Sequence, residues 1–303
     1  MEVKIPTPNP PEPLLGLECL NCALNQVTSA TELVGLPRAQ RLEIMKAAID
    51  HLASHDLNRN NCITIEEVYR IVTRYLGDED PYRETRAHFN RGMMRLWPEV
   101  RRHIAESADP LGTAVRAAIA GNLIDLAALG LDVDLNAAMA KVREVEEGGL
   151  YIDHCAGLKD ALSRARTLLV LGDNCGEIAM DRLLIETILR LYPGIRVQYG
   201  VRGAAVVNDV TREDAAMVGM EEVAEVIDNG DCLLTTMLSR TSEAFNRAFY
   251  AADVVIAKGM GNYEGLHQCA RGNIFFLMIA KCNVIARMTG TPRGSILCLK
   301  KED

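Results

Sequence analysis

The sequence predicts an α/β protein whose open, mostly parallel sheet carries helices on both faces, preceded by an all-helical N-terminal domain. Before about residue 150, apolar residues recur at every third and fourth position, which is typical of amphipathic helices. After that point, short apolar runs without alternation are separated by helical stretches, which is typical of buried parallel strands. We therefore predict a helical domain at 14–150 and an α/β domain at 151–303.

The helical pattern is continuous through the first half of the chain. It covers the segments 19–31, 37–54, 65–76, 82–106, 110–128 and 135–147. Thr64 is a candidate N-cap for the third segment, and Pro81 stands at a candidate first helical position of the fourth. Residues 1–13 are rich in proline and low in hydrophobicity, so we expect a flexible lead-in there.

The strand pattern of the second half predicts where a ligand binds. The predicted strands are 167–172, 196–201, 224–229, 253–259, 283–287 and 295–300. Ligands of open parallel sheets bind beyond the carboxyl ends of the strands, so residues that follow a strand are the first candidates for chemistry.

Composition narrows the class of protein. The net charge of −8 argues against a nucleic-acid partner, which requires a basic surface. No apolar stretch approaches the roughly 18 residues of a membrane helix, and the N-terminus has no apolar signal core. Nine cysteines, an odd number in a chain too long to need disulfides, indicate free thiols and hence a cytoplasmic protein. The oligomeric state stays open.

The first strand-end cluster is 172–177, GDNCGE. Asp173 is placed to project into the crevice, while Asn174 is placed to cap the helix that follows. Simple capping explains this pair equally well. The flanking Gly172 and Gly176 favour a ligand, because glycine lets the backbone approach an anion.

Two further clusters follow later strands. Asn208 and Asp209 lie in the segment VNDVT, where capping of a short helix is again the alternative explanation. Lys258 ends an apolar strand and is followed by Gly259 and Gly261. A lysine in that position would be desolvated unless an anion or a carboxylate met it, so a binding role is favoured.

Together the three clusters predict metal-assisted phosphoryl chemistry. Carboxylate and amide oxygens without histidine or cysteine suit Mg²⁺, Mn²⁺ or a similar cation. A metal ion with a lysine can hold a phosphoryl group and spread its developing charge. An aspartate beside the metal could be the nucleophile or the base for a water molecule, and the sequence leaves both open.

These clusters also resemble a known family. The ordered segments LGDNCGEIAMDRLLIE, VVNDVTREDA and ADVVIAKGMGNYEGL resemble the domain-of-unknown-function 89 proteins, also called damage-control phosphatases. ECLNC, DPYRETRAHFN and DPLGTAVRAAIAGNLIDL in the helical half extend the resemblance from about Cys19 to the C-terminal strand. The early Cys-x-x-Cys is similar to the prokaryotic-type branch of the family.

The resemblance implies a helical domain on a Rossmann-like α/β domain, and a divalent-metal-dependent phosphatase acting on small phosphorylated metabolites. It implies that Asp173, Asn174 and Asp209 bind the metal, which would be Mg, Mn, Co or Ni, and that Lys258 faces the phosphate. The predicted catalytic residues are Asp173, Asp209 and Lys258. Further candidates for binding the substrate are Gly176, Glu177, Gly259, Asn262 and Glu264.

Departures from the family pattern bear on substrate choice more than on the metal. Cys175 stands where the family often has alanine, and 232–239 is bulkier than the glycine-containing loop expected there. The substrate could be a sugar phosphate or a nucleotide-related phosphate. The alternative functions are a non-catalytic nucleotide- or metabolite-binding protein and a carboxyl methyltransferase.

Cysteine and histidine residues outside the clusters give weaker signals. Cys19 and Cys22 could bind a metal, form a disulfide or only pack, and a complete zinc site would need distant partners such as Cys282 or Cys269. The six histidines form no motif with metal-ligand spacing. His51 and His55 are four residues apart, on a helix predicted to face solvent.

Overall fold

The structure is a computed structural model that describes residues 16–122 and 135–301. The predicted lead-in at 1–13 lies outside the described residues. So do residues 123–128, the end of the predicted helix 110–128.

All six predicted helical segments coincide with helices. These are α1 (Cys19–Leu33), α2 (Arg38–Ser54), α3 (Asn61–Leu76), α4 (Arg83–Glu106), α5 (Pro110–Ala120) and α6 (Leu135–Gly148). The predicted cap of α3 was wrong. Asn60 caps it by accepting from the Cys62 backbone N–H at 2.8 Å, so Thr64 is buried inside the helix. The prediction that Pro81 occupies the first position of the fourth helix was also wrong, because α4 begins at Arg83.

The α/β half contains a seven-stranded sheet within the described residues. Its strands are β1 (Ile152–Asp153), β2 (Thr167–Leu171), β3 (Arg196–Val201), β4 (Glu225–Asp228), β5 (Val254–Lys258), β6 (Ile274–Ile279) and β7 (Ile296–Lys300). Its helices are α7 (Cys155–Arg164), α8 (Glu177–Leu191), α9 (Arg212–Met217), α10 (Glu243–Ala251), α11 (Gly259–Leu266) and α12 (Asn283–Thr289). The strand order is β1-β7-β6-β5-β2-β3-β4, and the pairs are parallel except for β6 with β7. The predicted fold class is confirmed.

One predicted strand was wrong. Residues 283–287 belong to α12, while the unpredicted run IFFLMI forms the fully buried strand β6. Short apolar runs do not distinguish a buried strand from a buried helix by periodicity alone. Local signals fix the helix here. The Cys282 Sγ accepts a hydrogen bond from the Ile285 N–H at the first turn, and Gly290 ends the helix with φ +67°.

The sheet is covered on both faces, as predicted. Leu168 and Val170 of β2 pack on one face with residues of α4, α5 and α8, whereas Leu169 and Leu171 pack on the other with α10 and α11. The cores therefore group α4–α6 with the sheet. Helices α1–α3 enclose a separate core that also contains Val206 and Val207 from the loop after β3. The domain boundary at residue 150 stays a prediction.

None of the helices within residues 16–122 and 135–301 combines the length and the hydropathy that a membrane-spanning helix needs.

Helix α4 is joined to the α/β half by a buried ion network. The Arg86 guanidinium donates to both Asp80 carboxylate oxygens at 2.7 Å, and its Nε donates to Asp214 Oδ2 at 3.1 Å. The same side chain donates to the Val207 carbonyl at 3.3 Å, where a non-glycine residue is held at φ +47°. Arg86 thus fixes a strained loop in place.

We expect Arg86→Met to lower the free energy of unfolding by about 3–5 kcal/mol, because it leaves the Asp214 carboxylate and the Val207 carbonyl without this donor. Urea unfolding followed by circular dichroism measures the change. Arg83→Met, on the first residue of the same helix, removes an exposed pair with Glu213 and should change stability far less. Equal losses in the two variants would contradict a special role for Arg86.

Candidate active site

A cavity of about 680 Å³ lies at the carboxyl ends of the central strands. Its floor comes from the loops after β2, β3 and β5, and its roof from α1, α3 and α4. The described residues that line it are Gln26, Asn61, Cys62, Ile65, Phe89, Gly121, Asn122, Asp173, Asn174, Cys175, Val207, Asn208, Asp209, Leu234, Met260, Gly261, Glu264 and Lys281. This volume suits a small metabolite.

The first two motif loops meet at the floor of this cavity. Asn174 and Asp209 form an isolated antiparallel β-bridge. On either side of it, the Val210 N–H donates to the Asp173 carbonyl at 2.9 Å and the Cys175 N–H to the Asn208 carbonyl at 2.8 Å. Backbone pairing therefore brings Asp173, Asn174 and Asp209 together, although Asp209 is distant from the others in sequence.

Asp173 is a buried carboxylate held by amides. Its Oδ2 accepts from Asn122 Nδ2 at 3.0 Å and from Asn174 Nδ2 at 2.6 Å. Burial raises the pKa of Asp173 well above its usual value, and the nearby charges of Glu177 and Asp209 raise it further. A carboxylate in this environment gains from a positive charge.

Asp209 has a cationic partner of its own. Its Oδ2 accepts from Arg202 Nε at 2.7 Å, and both side chains are about 3% exposed. Burial raises the pKa of Asp209 to about 6, although Arg202 acts in the opposite direction.

The donor chemistry fits a divalent cation. Two buried carboxylates whose pKa values are raised converge with a side-chain amide, and hard oxygen ligands suit Mg²⁺ or Mn²⁺. Asn174 directs its amide nitrogen toward the Asp173 and Glu177 carboxylates, which turns its amide oxygen away from them. The structure thus brings the three predicted ligand residues to the floor of one cavity, and their role in binding a metal stays a prediction.

The capping explanations for these motifs were wrong. Helix α8 begins at Glu177, and its N-cap is Gly176, with φ +73° and no side-chain cap. Helix α9 is capped by Thr211, which forms a capping box with Asp214, rather than by Asn208 or Asp209.

Lys258 lies beneath the cavity and does not line it. Its ammonium donates to the Ala118 carbonyl at 2.9 Å and to the carboxylates of Glu177 and Asp181, and its exposure is 0%. Burial disfavours the charged form, but Asp181 and Glu177 outweigh it and raise the pKa of Lys258. The three donors of the ammonium are therefore used within the protein.

Three other predicted substrate residues support the floor from below. The Gly176 N–H donates to Asn90 Oδ1 at 2.7 Å, and Glu177 accepts from Lys258 and Asn122. The buried Asn262 amide donates to the carbonyls of Gly172 at 3.0 Å and Lys258 at 2.8 Å.

Gly259 allows a close approach between two loops. It has φ +74°, and a Cβ built at this position would lie 1.9 Å from Asp173 Oδ2. Only glycine therefore lets the loop after β5 pass beside the Asp173 carboxylate in this position.

Glu264 does line the cavity, on the wall formed with α3. Burial raises the pKa of Glu264 to about 7, while hydrogen bonds from Asn61 and Cys62 act against this rise. The Cys62 thiol lies 3.9 Å from Glu264 Oε2.

Sequence reasoning missed three polar residues of the site. Asn122 lies at the end of a segment that carried the family resemblance, yet no spacing pointed to its side chain. Arg202 directly follows β3, so its strand-end position could have identified it. Lys281 follows β6, and because that strand was not predicted, its lysine was not considered.

A second group of possible metal ligands lies on α2, on the residue that follows it and on α3, away from the cavity lining. One ligand atom from each of His51, His55 and Glu67 lies within 4.8 Å of the others, and His51 Nε2 is 2.9 Å from Glu67 Oε2. The expectation that the histidines form no metal-spaced group therefore overlooked Glu67, which comes from the next helix. Arg59 already donates to Glu67 Oε1 at 2.9 Å.

Cys19 and Cys22 carry free thiols on the first turn of α1. Burial raises the pKa of Cys19 to about 11, and Glu264, Cys22 and Cys282 are close enough to add to this rise. Cys269 instead packs in the core beside α11. A role in metal binding, disulfide formation or packing stays open.

Known proteins are similar to this chain in both sequence and fold. Residues 17–297 match the damage-control phosphatase ARMT1-like domain. A damage-control phosphatase of Pyrococcus horikoshii is 31% identical over 286 residues, which cover 94% of this chain and 97% of that protein. A damage-control phosphatase of Archaeoglobus fulgidus is 30% identical over 281 residues, covering 92% and 96%.

The crystal structure of a domain-of-unknown-function 89 family protein from Pyrococcus horikoshii matches with a TM-score of 0.88 at 30% identity. The match covers 96% of this chain and all of that one. Assignment to the prokaryotic-type branch through Cys19 and Cys22 stays a prediction. Sequence, fold and motif order agree over nearly the whole chain, which therefore belongs to the damage-control phosphatase family.

Proposed function

We propose that the protein is a divalent-metal-dependent phosphomonoesterase that hydrolyses small phosphorylated metabolites, such as sugar phosphates or nucleotide-related phosphates. Asp173, Asn174 and Asp209 would hold the metal, which would be Mg, Mn, Co or Ni. The observation that carries this proposal is the convergence of two buried carboxylates with raised pKa values at the floor of a metabolite-sized cavity.

The chain's own residues have separable roles in such a reaction. When bound, the metal would supply Lewis-acid stabilisation of the charge that develops on the phosphoryl oxygens. Asn122 and Asn174 orient the Asp173 carboxylate, and Arg202 orients that of Asp209. One aspartate would either bond to phosphorus as the ester oxygen departs or take a proton from the attacking water.

Other properties are consistent with a small substrate. The net charge of −8 supports the proposal that no nucleic acid is bound. The nine free thiols support a cytoplasmic location. A non-catalytic metabolite-binding protein would instead show ligand-dependent thermal stabilisation without turnover. Phosphate release from a panel of phosphorylated metabolites separates the two.

We expect Asp173→Asn and Asp209→Asn each to lower the kcat for phosphate release by at least about 100-fold, because each removes a charge that the metal and the reaction require. The assay uses p-nitrophenyl phosphate, sugar phosphates and nucleotide-related phosphates, with each of the four metals and with chelator. Circular dichroism checks that the variants are folded.

His51→Ala and His55→Ala are the matched controls for the metal requirement. They remove the other candidate ligands without changing the cavity, so we expect metal-dependent activity within about two-fold of wild type. Loss of metal dependence in the histidine variants, with retention in the aspartate variants, would show that the active metal is elsewhere.

The raised pKa of Asp209 predicts a dependence of stability on pH. Its folded value of about 6 lies above an unfolded value of about 3.9, so the folded state binds the extra proton between them. Its stabilising contribution is complete below about pH 4 and is lost as the pH rises through 6. A cation binds the carboxylate form, so added Mn²⁺ should raise the Tm more at pH 7.5 than at pH 5.5.

Thermal melts of wild type and Asp209→Asn, with and without Mn²⁺, measure this effect. The variant cannot ionise at this position, so the pH dependence of its metal-induced shift should be smaller. Equal Mn²⁺-induced shifts at both pH values in wild type would argue against Asp209 as a ligand.

A further inference from the structure

The cavity requires a positive charge from the protein if it is to bind a phosphate. Three carboxylates line it, those of Asp173, Asp209 and Glu264, and each would repel a phosphate dianion when ionised. Lys258 cannot compensate from its position, because its ammonium is fully buried and already donates to three acceptors. Arg202 is likewise buried and is paired with Asp209.

Lys281 is the cationic residue among the described residues that line the cavity. It follows β6, the neighbour of β5 in the sheet, and therefore lies at the same edge as the motif loops. Both backbone polar groups of Lys281 are hydrogen-bonded. Its N–H donates to the Ile279 carbonyl at 2.9 Å, and its carbonyl accepts from Arg293 Nε at 2.9 Å. An exposed lysine on a fixed backbone has a defined reach.

The Lys281 ammonium is directed toward the catalytic carboxylates. Its Nζ donates to the Asn122 carbonyl at 2.9 Å, and the side chain of the same Asn122 donates to Asp173 Oδ2 at 3.0 Å. Nζ makes this one hydrogen bond to the described residues. An ammonium group has three N–H donors. The remaining donors can serve a ligand beside Asp173.

We propose that Lys281, rather than Lys258, donates to the phosphoryl oxygens of the bound substrate, while Lys258 holds the floor of the site through Glu177 and Asp181. This assignment rests on the proposed phosphatase function. A charge-assisted hydrogen bond to phosphate contributes more than a neutral one, so its loss should weaken binding measurably.

The test compares Lys281→Met with Lys281→Arg, using inorganic phosphate as the product inhibitor. We expect Lys281→Met to raise the Ki of phosphate and to lower kcat/KM by about ten-fold or more. Lys281→Arg keeps the charge and should restore most of both. The Tm should match wild type in both variants, because Nζ lies outside the core. Loss of the positive charge near Asp173 should not weaken Mn²⁺ binding, so a raised phosphate Ki in Lys281→Met would not be explained by loss of the metal.

Lys46→Met is the matched control, since Lys46 is exposed on α2 and does not line the cavity. A phosphate Ki for Lys281→Met within two-fold of that for Lys46→Met would overturn the proposal. Lys258→Met should instead lower the Tm, because it leaves two buried carboxylates unpaired. If it stays folded and raises the phosphate Ki more than Lys281→Met does, Lys258 is the phosphate ligand and the proposal fails.

Failure of the proposed function would be seen separately, as wild-type protein that releases no phosphate from any substrate with any of the four metals. Calorimetric titration with inorganic phosphate in the presence of Mn²⁺ would then decide the role of Lys281. A ten-fold weaker Kd in Lys281→Met than in wild type would support that role. Equal binding by the two proteins, or no binding by wild type, would overturn it.

Discussion

The burial of four carboxylates at one end of the sheet is the constraint on which the rest of the site depends. Asp173, Glu177, Asp181 and Asp209 are each less than 10% exposed, and burying an uncompensated charge is costly. Lys258 offsets two of them from below the sheet edge, and Arg202 offsets Asp209. Asp173 has amide donors but no direct ion pair among the described residues. It is therefore the carboxylate for which a bound cation would change the electrostatic balance most.

The helical half contributes to the site by holding the two motif loops in place. Asn90 of α4 accepts from the Gly176 N–H and donates to Asp214 Oδ1 at 2.8 Å, so one side chain connects both motif loops. Arg86 binds the other oxygen of Asp214 and the Val207 carbonyl, which anchors the second loop. The site is thus assembled between a sheet edge and a helix, and the distance between Asp173 and Asp209 depends on both. This explains how residues far from the cavity can set its geometry.

The sequence predicted the fold class, the motif loops and the candidate ligands, because each of these features has a local signal. A glycine-flanked Asp-Asn after a buried strand is visible without knowledge of distant contacts, and so is a lysine at a strand end. What such a lysine contacts is not visible. Lys258 could have met a ligand or a carboxylate, and the choice depends on Glu177 and Asp181, whose positions are fixed only when α8 packs on the sheet. Lys281 was missed for a related reason. It lies between two apolar runs, and the sequence pattern assigned the strand to the run after it, whereas the run before it forms β6. Glu67 near His51 likewise depends on the packing of two helices.

The site therefore has two layers with different functions. In the lower layer, Lys258 and its carboxylates are fully enclosed, so their charges act mainly on the stability of the floor. In the upper layer, Asp173, Asp209 and Lys281 line the cavity, where their charges act on a bound ligand. Glu264 belongs to the opposite wall of the upper layer, and burial raises its pKa to about 7. Near neutral pH a substantial fraction of this side chain is uncharged, so that wall repels an anion less than an ordinary glutamate would. A metal ion at Asp173 and Asp209 would favour the ionised form of both side chains and offset their negative charge. The phosphate would then meet Lys281 rather than an uncompensated carboxylate.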